Sequence, residues 1–506
     1  MKKSIMFQGT ASGVGKSLIN TAFCRIFTED GYNVAPFKSQ NMALNSFITA
    51  DGKEMGRAQV VQAEAANKKP DVRMNPILLK PTTDRKSQII VMGKVKDNLD
   101  AVTYHKEKNS LREVVESTYT ELLDENDIIV IEGAGSPAEI NLRENDFVNM
   151  GMAKIAKSPV VIVGDIDRGG VFASLYGTIM LLTPEERAYV KGVIINKFRG
   201  DIEILKPGLD MLEELIGVPV LGVVPYTNLN IEDEDSLTDK FRIKEKKNKA
   251  ISVNVIRLPH ISNFTDFDIF ETFDDVQLTY IDGLTSLDDS DLIIIPGTKN
   301  TIEDLIFLRE SGLEKQIIKA HKNNIPIIGI CGGYQMLGTK IKDPDGVECG
   351  IEEIAGMSLI DLETIFEDEK VTSQVSAKIE FDVENSIFSG IKGTNIKGYE
   401  IHCGRSINET GAIKILEKHG ELADYKEGSI NIKGNVFGTY IHGIFDSMEF
   451  TKKILSNIRK ARGLESKQEE FSTYEEFKEN EYKKLAAHVR AHVDTKKIYE
   501  IMEKGI

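Results

Sequence analysis

The stretch "SIMFQGTASGVGKS" (residues 4–17) joins a short apolar run to a glycine-rich turn that ends in Lys-Ser. Gly15, Lys16 and Ser17 follow a predicted strand and open a predicted helix, which is the context that a phosphate-binding loop requires. In such a loop the backbone N–H groups hold phosphate oxygens, the lysine reaches the β- and γ-phosphates, and the serine ligates Mg²⁺. The spacing is one residue longer than usual, with Thr10 in the place of the first glycine. A glycine-rich turn that binds nothing is the alternative, and it leaves the Lys-Ser pair unexplained.

Apolar runs that alternate with amphipathic segments continue along the chain on the carboxyl side of this loop. Continuously apolar runs are typical of parallel strands that are buried on both faces. The sequence therefore predicts an α/β protein with two doubly wound, mostly parallel sheets and a helical carboxyl-terminal tail. The predicted strands are "SIMF", "NVAPF", "DIIVIEG", "PVVIVGD", "VKGVIIN" and "VPVLGVVP" in the first block, and "ISVNVIRLP", "DLIIIPG" and "IPIIGIC" in the second, followed by the β-like stretches "GYEIHCGRS" and "VFGTYIHGIF".

A charged segment that is poor in large apolar residues separates the two blocks and predicts the domain boundary. We expect a first domain over residues 1–232, a linker over 233–250 and a second domain over 251–446. Residues 447–506 have helical spacing, and we expect this tail to pack on the second domain.

Composition excludes several classes of partner. The 506 residues carry a net charge of −16, which disfavours binding to nucleic acid or to anionic lipid. No apolar stretch approaches the ~18 residues of a membrane span. The four cysteines show no paired spacing, so we expect neither zinc nor disulfides, and a cytoplasmic location. We interpret Cys24 and Cys349 as inert, buried thiols.

The second block contains a candidate nucleophile in "PIIGICGGYQ" (residues 326–335). Glycines on both sides of Cys331 permit a tight turn from strand to helix that presents the side chain, as in the elbow of serine hydrolases. A thiol at a helix start is activated by the helix dipole, and the N–H of Gly332 would help to hold an oxyanion. Gly297 in "IIIPGTKN" follows another strand end and is the second candidate donor. His442 and His402 are the candidate bases.

The longer phosphate loop resembles that of dethiobiotin synthetase and its relatives, which are ATP-dependent enzymes that act on carboxylates. This resemblance implies a second phosphate-facing lysine at Lys38 in "APFKS", and an acidic metal ligand at Glu132 in "IIVIEGAGS". A capping or turn carboxylate is the alternative for Glu132. Asp165 and Asp167 also follow a strand, where structural turn aspartates are equally common. The implied ATP-binding residues are Thr10, Gly13, Gly15, Lys16, Ser17 and Lys38, and the implied metal ligands are Ser17 and Glu132.

The second block resembles the class I glutamine amidotransferases. The resemblance implies that Cys331 is the nucleophile and His442 the base. Most members have a glutamate two residues after the histidine, whereas Ile444 stands here. Either a dyad results, or Asp446 or another acid orients the ring.

Longer motifs make the chain similar to the cobyric acid synthase family of cobalamin-pathway amidotransferases over about residues 4–446. They include "FKSQNMALNS", "GKEMGRAQVVQAEAA", "EGAGSPAEINLRENDFVNMGMA", "GDIDRGGVFASLYGT" and "RLPHISNFTDFD". The resemblance implies that glutamine and ATP serve to amidate the b, d, e and g carboxylates of adenosylcobyrinic acid a,c-diamide. The candidate substrate contacts are Asn41, Gln59, Asp146, Asp165 and Arg168; the other polar candidates are Asn45, Gln62, Glu64, Asn75 and Arg143.

Alternative functions remain open at this point. The chain could amidate cobyrinic acid itself, as a cobyrinic acid a,c-diamide synthase does, or it could be a non-catalytic P-loop scaffold with an inactive amidotransferase half. The order of amidations, the route of ammonia and a homo-oligomeric state are not readable from the sequence.

Overall fold

A computed structural model describes residues 2–81, 86–232, 249–465 and 471–506. The chain forms two compact units, each made of separate stretches of sequence. Unit 1 comprises Met1–Ala43, Met55–Glu234 and Lys478–Ile506, and unit 2 comprises Leu44–Glu54 and Asp235–Phe477. Most of the predicted linker, residues 233–248, lies outside the described residues, so the linker stays a prediction.

The first 232 residues contain all six strands that the apolar runs predict, with helices between most of them, but four strands follow one another directly between Val34 and Gly56. The strands are β1 (Lys3–Gly9), β2 (Val34–Phe37), β3 (Gln40–Met42), β4 (Ser46–Ile48), β5 (Glu54–Gly56), β6 (Ile77–Pro81), β7 (Lys86–Val91), β8 (Lys94–Asp100), β9 (Ile128–Glu132), β10 (Val160–Asp165), β11 (Val190–Phe198) and β12 (Val220–Pro225). The helices are α1 (Lys16–Glu29), α2 (Arg57–Ala65), α3 (Ala101–Glu125), α4 (Met150–Ala156), α5 (Val171–Leu181), α6 (Pro184–Tyr189) and α7 (Ile202–Ile216).

The main sheet of unit 1 has the order β12-β11-β10-β1-β9-β2, with every neighbouring pair parallel. Its strands are apolar on both faces because helices cover both sides. In the β1–β9 register Phe7 pairs with Glu132, so the phosphate loop after β1 and the carboxylate at the end of β9 meet at one sheet edge. A smaller sheet, β3-β6-β7-β8, lies outside the strands that the sequence predicts.

Unit 2 combines a mostly parallel sheet with a largely antiparallel one. Its remaining strands are β13 (Ile251–Ile256), β14 (Val276–Ile281), β15 (Leu292–Ile295), β16 (Ile327–Ile330), β17 (Lys340–Lys342), β18 (Glu353–Ala355), β19 (Glu363–Ile379), β20 (Asn395–Ile407), β21 (Ile413–Lys418), β22 (Glu421–Glu427), β23 (Ser429–Ile430), β24 (Val436–Thr439) and β25 (Ile441–His442). Its helices are α8 (Thr301–Glu310), α9 (Leu313–Lys322), α10 (Gly332–Leu337) and α11 (Met448–Ala461).

The central sheet of unit 2 has the order β14-β13-β15-β16-β24-β23, in which only the β23–β24 pair is antiparallel. The second sheet contains β18-β17-β19-β20-β25, with β21 and β22 attached. Together the two units confirm the predicted α/β class with parallel sheets. The sequence predicts part of the antiparallel sheet, since the β-like stretch at residues 398–406 lies within β20. It does not predict β19, whose residues alternate between buried and exposed positions.

The carboxyl-terminal tail is helical, as predicted, but it divides between the units. Helix α11 belongs to unit 2, whereas α12 (Tyr474–His492) extends into unit 1 and α13 (Thr495–Lys504) lies within it. Tyr499 packs edge-on against Phe27 at 5.3 Å, and Ile498 and Met502 join the core beneath α1. This division differs from the expectation that the whole tail packs on the second domain. None of the helices described in the structure is both long and apolar enough to cross a membrane.

Candidate active sites in the two units

The phosphate loop in unit 1 adopts a conformation that depends on glycine. Gly13 and Gly15 have φ values of 73° and 95°, in the left-handed region that glycine adopts without strain. Gly15 caps α1, so the free N–H groups of the first helical turn face the loop. The Lys16 ammonium donates to the carbonyl oxygens of Ala11 (3.0 Å) and Gly135 (3.2 Å). Thr10 donates its backbone N–H to the Val163 carbonyl at 3.0 Å.

The Glu132 carboxylate joins three of the predicted site residues at the edge of the main sheet. Its Oε1 accepts hydrogen bonds from Ser17 Oγ at 2.8 Å and from Lys38 Nζ at 2.9 Å. Its Oε2 accepts from Gln62 Nε2 at 2.5 Å. The Lys38 and Glu132 side chains are both buried, so their attraction acts in a medium of low dielectric. The structure thus brings Lys38, Ser17 and Glu132 together as the resemblance implies.

A hydroxyl and a carboxylate at this distance fit the oxygen chemistry of Mg²⁺. Magnesium usually retains several waters and takes only one or two protein ligands besides phosphate oxygens. Clusters of three or more His, Cys, Asp or Glu side chains that could enclose a metal are absent from the described residues. Ser17 and Glu132 are therefore suited to a phosphate-bound magnesium ion and not to a fully protein-ligated one.

The predicted substrate residues fall into two groups in unit 1. Asn41 and Gln59 hydrogen-bond to each other at 3.0 Å, and both are buried. Asp165 forms an ion pair with Lys197 Nζ at 3.0 Å, and Arg168, whose side chain is 72% exposed, places its Nε 4.0 Å from the same carboxylate. Asp146 instead accepts from the backbone N–H groups of residues 148, 149 and 151, and thereby caps the start of α4.

Several other polar candidates have structural partners. Glu64 accepts from Lys478 Nζ and Tyr482 Oη of the terminal helix, both at 2.8 Å. Asn75 bridges the carbonyl oxygens of residues 38 and 77. Arg143 donates to the Leu181 carbonyl at 2.7 Å. Asn45 belongs to unit 2.

Cys331 occupies a strained turn between β16 and α10. Its φ of 50° and ψ of −109° lie in a region that non-glycine residues rarely adopt, as at the elbow that presents a nucleophile. Strand β24 pairs in parallel with β16, and the Cys331 N–H donates to the Thr439 carbonyl at 2.9 Å. Because Thr439 lies three residues before His442, this strand pairing places His442 close to Cys331. The Cys331 thiol lies within hydrogen-bond reach of the His442 ring.

Asp266 orients the His442 ring, a role that the sequence analysis left without a residue. Its Oδ2 lies 2.6 Å from His442 Nδ1, and its Oδ1 accepts from the Gly443 N–H at 3.2 Å. Burial by itself lowers the pKa of His442. The charge and hydrogen bond of Asp266, together with Cys331, outweigh burial and raise the pKa of His442 to about 10. Asp266 lies in the 3₁₀ segment Phe264–Thr272, within "NFTDFD", and its separation of 176 residues from the histidine hides the pairing in the sequence.

The two glycines predicted to hold an oxyanion lie beside this pair. A Cβ atom on Gly297 would approach His442 Cε1 to 2.7 Å, so the ring requires glycine at this position. A Cβ atom on Gly332 would approach the Thr298 side chain to 2.6 Å. Residues 297 and 298, which follow β15, therefore lie against His442 and against the turn at Cys331. The oxyanion role of the two N–H groups stays a prediction.

The remaining histidine and cysteine candidates have other surroundings. His402 stacks on Tyr440 with ring centroids 3.9 Å apart, and its Nδ1 is bonded to the Gly404 carbonyl at 2.7 Å. Burial lowers the pKa of His402, which favours its neutral form. Burial likewise raises the pKa of the Cys24 and Cys349 thiols, which makes both poor nucleophiles.

Comparison with known proteins divides the chain in the same order as the two sites. Residues 5–237 match the CobQ/CobB/MinD/ParA nucleotide binding domain, and residues 252–450 match the CobB/CobQ-like glutamine amidotransferase domain. The chain is 56% identical over 503 residues to a cobyric acid synthase of Alkaliphilus metalliredigens, covering 98% of this chain and 99% of the relative. It is 55% identical over 507 residues to a cobyric acid synthase of Clostridium novyi, covering 100% of this chain and 98% of the relative. The chain belongs to the cobyric acid synthase family.

Membership of the cobyric acid synthase family confirms the resemblance on which the sequence analysis relies. It also means that the phosphate loop belongs to a nucleotide-binding domain and the cysteine elbow to an amidotransferase domain. Neither match identifies individual site residues. The roles of Cys331, His442, Asp266 and the cradle around Glu132 therefore rest on the geometry.

Proposed function

We propose that this protein is a glutamine- and ATP-dependent amide ligase that converts side-chain carboxylates of a corrinoid acid to carboxamides. The observation that carries the proposal is that one chain contains both a thiol beside a histidine–aspartate pair and a phosphate cradle, by which we mean the phosphate loop together with Lys16, Lys38 and Glu132. A glutaminase alone does not need the cradle of Lys16, Lys38 and Glu132. A nucleotide hydrolase alone does not need the elbow at Cys331.

Unit 2 supplies ammonia. The Cys331 thiolate attacks the carboxamide carbon of glutamine, and the His442 imidazolium gives its proton to the departing nitrogen. Ammonia leaves and a thioester with Cys331 remains. The now neutral His442 takes a proton from water, whose oxygen attacks the thioester and releases glutamate and the thiol. The N–H groups of Gly297 and Gly332 would hold the carbonyl oxygen while it carries negative charge.

Unit 1 activates the acid. The terminal phosphoryl group of ATP passes to a substrate carboxylate oxygen, forming an acyl phosphate and ADP. Ammonia then attacks the acyl carbon, and phosphate departs with the C–O bond electrons. Lys16 and Lys38 stabilise the negative charge on the phosphate oxygens while the phosphoryl group passes from ATP to the carboxylate. Mg²⁺, held through Ser17 and Glu132, would neutralise phosphate charge when bound.

The substrate we propose is adenosylcobyrinic acid a,c-diamide, amidated at its b, d, e and g carboxylates to give adenosylcobyric acid. The names of the full-length relatives support this choice over other corrinoid amidations. Among the substrate residues, Asn41, Gln59 and Arg168 are retained as contacts, together with Asp165. For Asp146 we propose a supporting role, in which its carboxylate holds the backbone before α4. We place the reaction in the cytoplasm, where reducing conditions keep a thiol such as Cys331 free.

Mass spectrometry of the corrinoid product tests the proposal. The full chain is incubated with glutamine, ATP, Mg²⁺ and either adenosylcobyrinic acid a,c-diamide or cobyrinic acid. Each amidation replaces a hydroxyl by an amino group, so a series of small mass decrements in the diamide alone supports the assignment. Decrements at the a and c positions of cobyrinic acid would instead indicate a cobyrinic acid a,c-diamide synthase. No amide from either acid would refute a ligase and favour a scaffold.

The matched variant is Cys331→Ala. It should lose amidation with glutamine and keep amidation with ammonium salts, because the synthetase site does not use the thiol. Continued use of glutamine would show that another residue is the nucleophile.

A further inference from the structure

Residues Leu44–Glu54 form a hairpin that belongs to unit 2, although the chain on both sides of it belongs to unit 1. Strands β4 and β5 pair with each other, and the turn between them closes through Thr49 N–H donating to the Lys53 carbonyl at 2.8 Å. Gly52 has a φ of 78°, which the tight turn requires. By sequence this hairpin lies inside the nucleotide-binding domain, within residues 5–237.

The first residues of the hairpin bond to the start of the 3₁₀ segment that carries Asp266. Asn45 Oδ1 accepts from the Phe264 N–H at 3.2 Å. The Ser46 N–H donates to Asn263 Oδ1 at 3.1 Å. Asn263 caps this segment in the left-handed conformation, with a φ of 51°, and it is buried. These two bonds therefore determine where the segment begins, only a few residues before Asp266.

Tyr399 connects the same hairpin to the His442 ring. Its hydroxyl donates to the Ser46 carbonyl and accepts from Asn263 Nδ2, both at 3.2 Å. Its ring is stacked on His442, with centroids 5.4 Å apart and an interplanar angle of 16°. Phe47 also packs edge-on with the Tyr399 ring, with ring centroids 5.4 Å apart. The hairpin thus supports two of the groups that contact His442, namely Asp266 through Asn263 and the aromatic ring of Tyr399 through its hydroxyl.

The rest of the hairpin is fixed along β19. The Thr372 hydroxyl donates to the Gly52 carbonyl at 2.9 Å, and Gln374 Nε2 donates to the Ile48 carbonyl. Lys370 forms an ion pair with Glu54 at 2.6 Å, and the Glu54 carboxylate is 1% exposed. Because these three contacts fix the hairpin at separate points, it has a defined position along β19 and is not a loosely associated loop.

We infer that the hairpin Leu44–Glu54 is a positioning element for the catalytic base of the glutaminase, and that Asn45 and Tyr399 are positioning residues that act on His442. Asn45 sets the start of the segment that delivers Asp266, and the Tyr399 hydroxyl keeps its ring parallel to the imidazole. This inference rests on the proposed glutaminase function of unit 2.

One short stretch of sequence contributes residues to both candidate sites. The stretch from residue 38 to residue 46 begins at Lys38, which holds Glu132, and ends at Ser46, which holds Tyr399 and Asn263. The glutaminase base is therefore placed partly by residues encoded within the nucleotide-binding domain. The matched amidotransferase region, residues 252–450, lacks this support.

Steady-state glutaminase kinetics of full-length Asn45→Ala and Tyr399→Phe test the inference. Each variant removes hydrogen bonds of the support and leaves Cys331, His442 and Asp266 in place. We expect kcat for glutamine hydrolysis to fall about tenfold or more in each, as for the loss of one or two buried hydrogen bonds. The KM for glutamine should change less than about twofold, because neither residue contacts the substrate. Ammonia-driven amidation should be unchanged.

Asp51→Asn is the matched control, since Asp51 lies on the exposed turn of the same hairpin. Its carboxylate accepts a hydrogen bond from Thr49 and pairs with Lys53, both of which belong to the same turn. It should leave both activities at the parent level. An unchanged kcat in both Asn45→Ala and Tyr399→Phe would overturn the inference, as would a loss confined to KM. A parallel fall in ammonia-driven amidation would also overturn it, because that result indicates a general loss of structure. Absence of amide product in the parent chain would refute the ligase proposal alone, since glutamate release is measured separately.

Discussion

Replacing Asp266 by asparagine tests the electrostatic design of the glutaminase site most directly. Asp266 Oδ2 lies 2.6 Å from His442 Nδ1, and both side chains are buried. The pKa of His442 is raised from 6.5 to about 10, a difference that corresponds to about 5 kcal/mol in favour of the imidazolium. Burial opposes this effect and Cys331 shares in it, so about 5 kcal/mol is the net outcome of all three. The amide of asparagine removes the charge and also presents an N–H that favours the wrong tautomer.

The expected result is a fall of about 100-fold or more in kcat for glutamine hydrolysis, within the range that a positioned acid–base group contributes. The assay is glutamate release, measured beside ammonia-driven amidation, which should be retained. The alkaline limb of the glutaminase pH profile should also move to lower pH, because the imidazolium loses its proton earlier. Asp274→Asn is the control, since it removes the same charge from an exposed position that closely follows the 3₁₀ segment. Activity within about threefold of the parent enzyme in Asp266→Asn would refute the assignment of Asp266 as the orienting acid.

Three further outcomes follow from the described contacts. Lys16→Ala should abolish amidation with glutamine and with ammonia while glutamate release persists, and retained ligase activity would contradict the phosphate-loop interpretation. Gly297→Ala should lower glutaminase kcat at least about tenfold, because its Cβ would lie 2.7 Å from His442 Cε1, and ammonia-driven amidation reports whether the fold survives. The raised pKa of His442 contributes stability that is fully present below pH 6.5 and is lost as pH rises through about 10. Denaturant unfolding of unit 2 should show this loss in the parent protein and a flatter pH dependence in Asp266→Asn.

The parallel sheets were predictable from sequence because their signal is local. Each strand of the main sheet of unit 1 is a short apolar run, and each lies where a run was predicted. In the antiparallel sheet of unit 2, β-like sequence was predicted at residues 398–406, within β20, and at residues 436–445, which contain β25. The full lengths of β19 and β20 were not predicted because both strands alternate polar and apolar residues over long stretches. Their identity as strands depends on pairing with each other, from Glu363 with Ile407 to Lys378 with Asn395, and pairing is a non-local property.

The same distinction explains which site residues were predictable. Cys331 stands out because a strained turn needs glycines as immediate neighbours, and Lys16 because a phosphate loop is contiguous. Asp266 is one of many acids in the chain, and nothing adjacent to it in sequence indicates that it faces His442. What places it there is an N–H of Phe264 bonded to Asn45, a residue more than 200 positions away. Sequence reasoning can therefore find the reactive groups of such a site, whereas the groups that orient them come from tertiary packing. Ile444 supplies no carboxylate two residues after His442, and Asp266, from another segment, provides the carboxylate that contacts the ring.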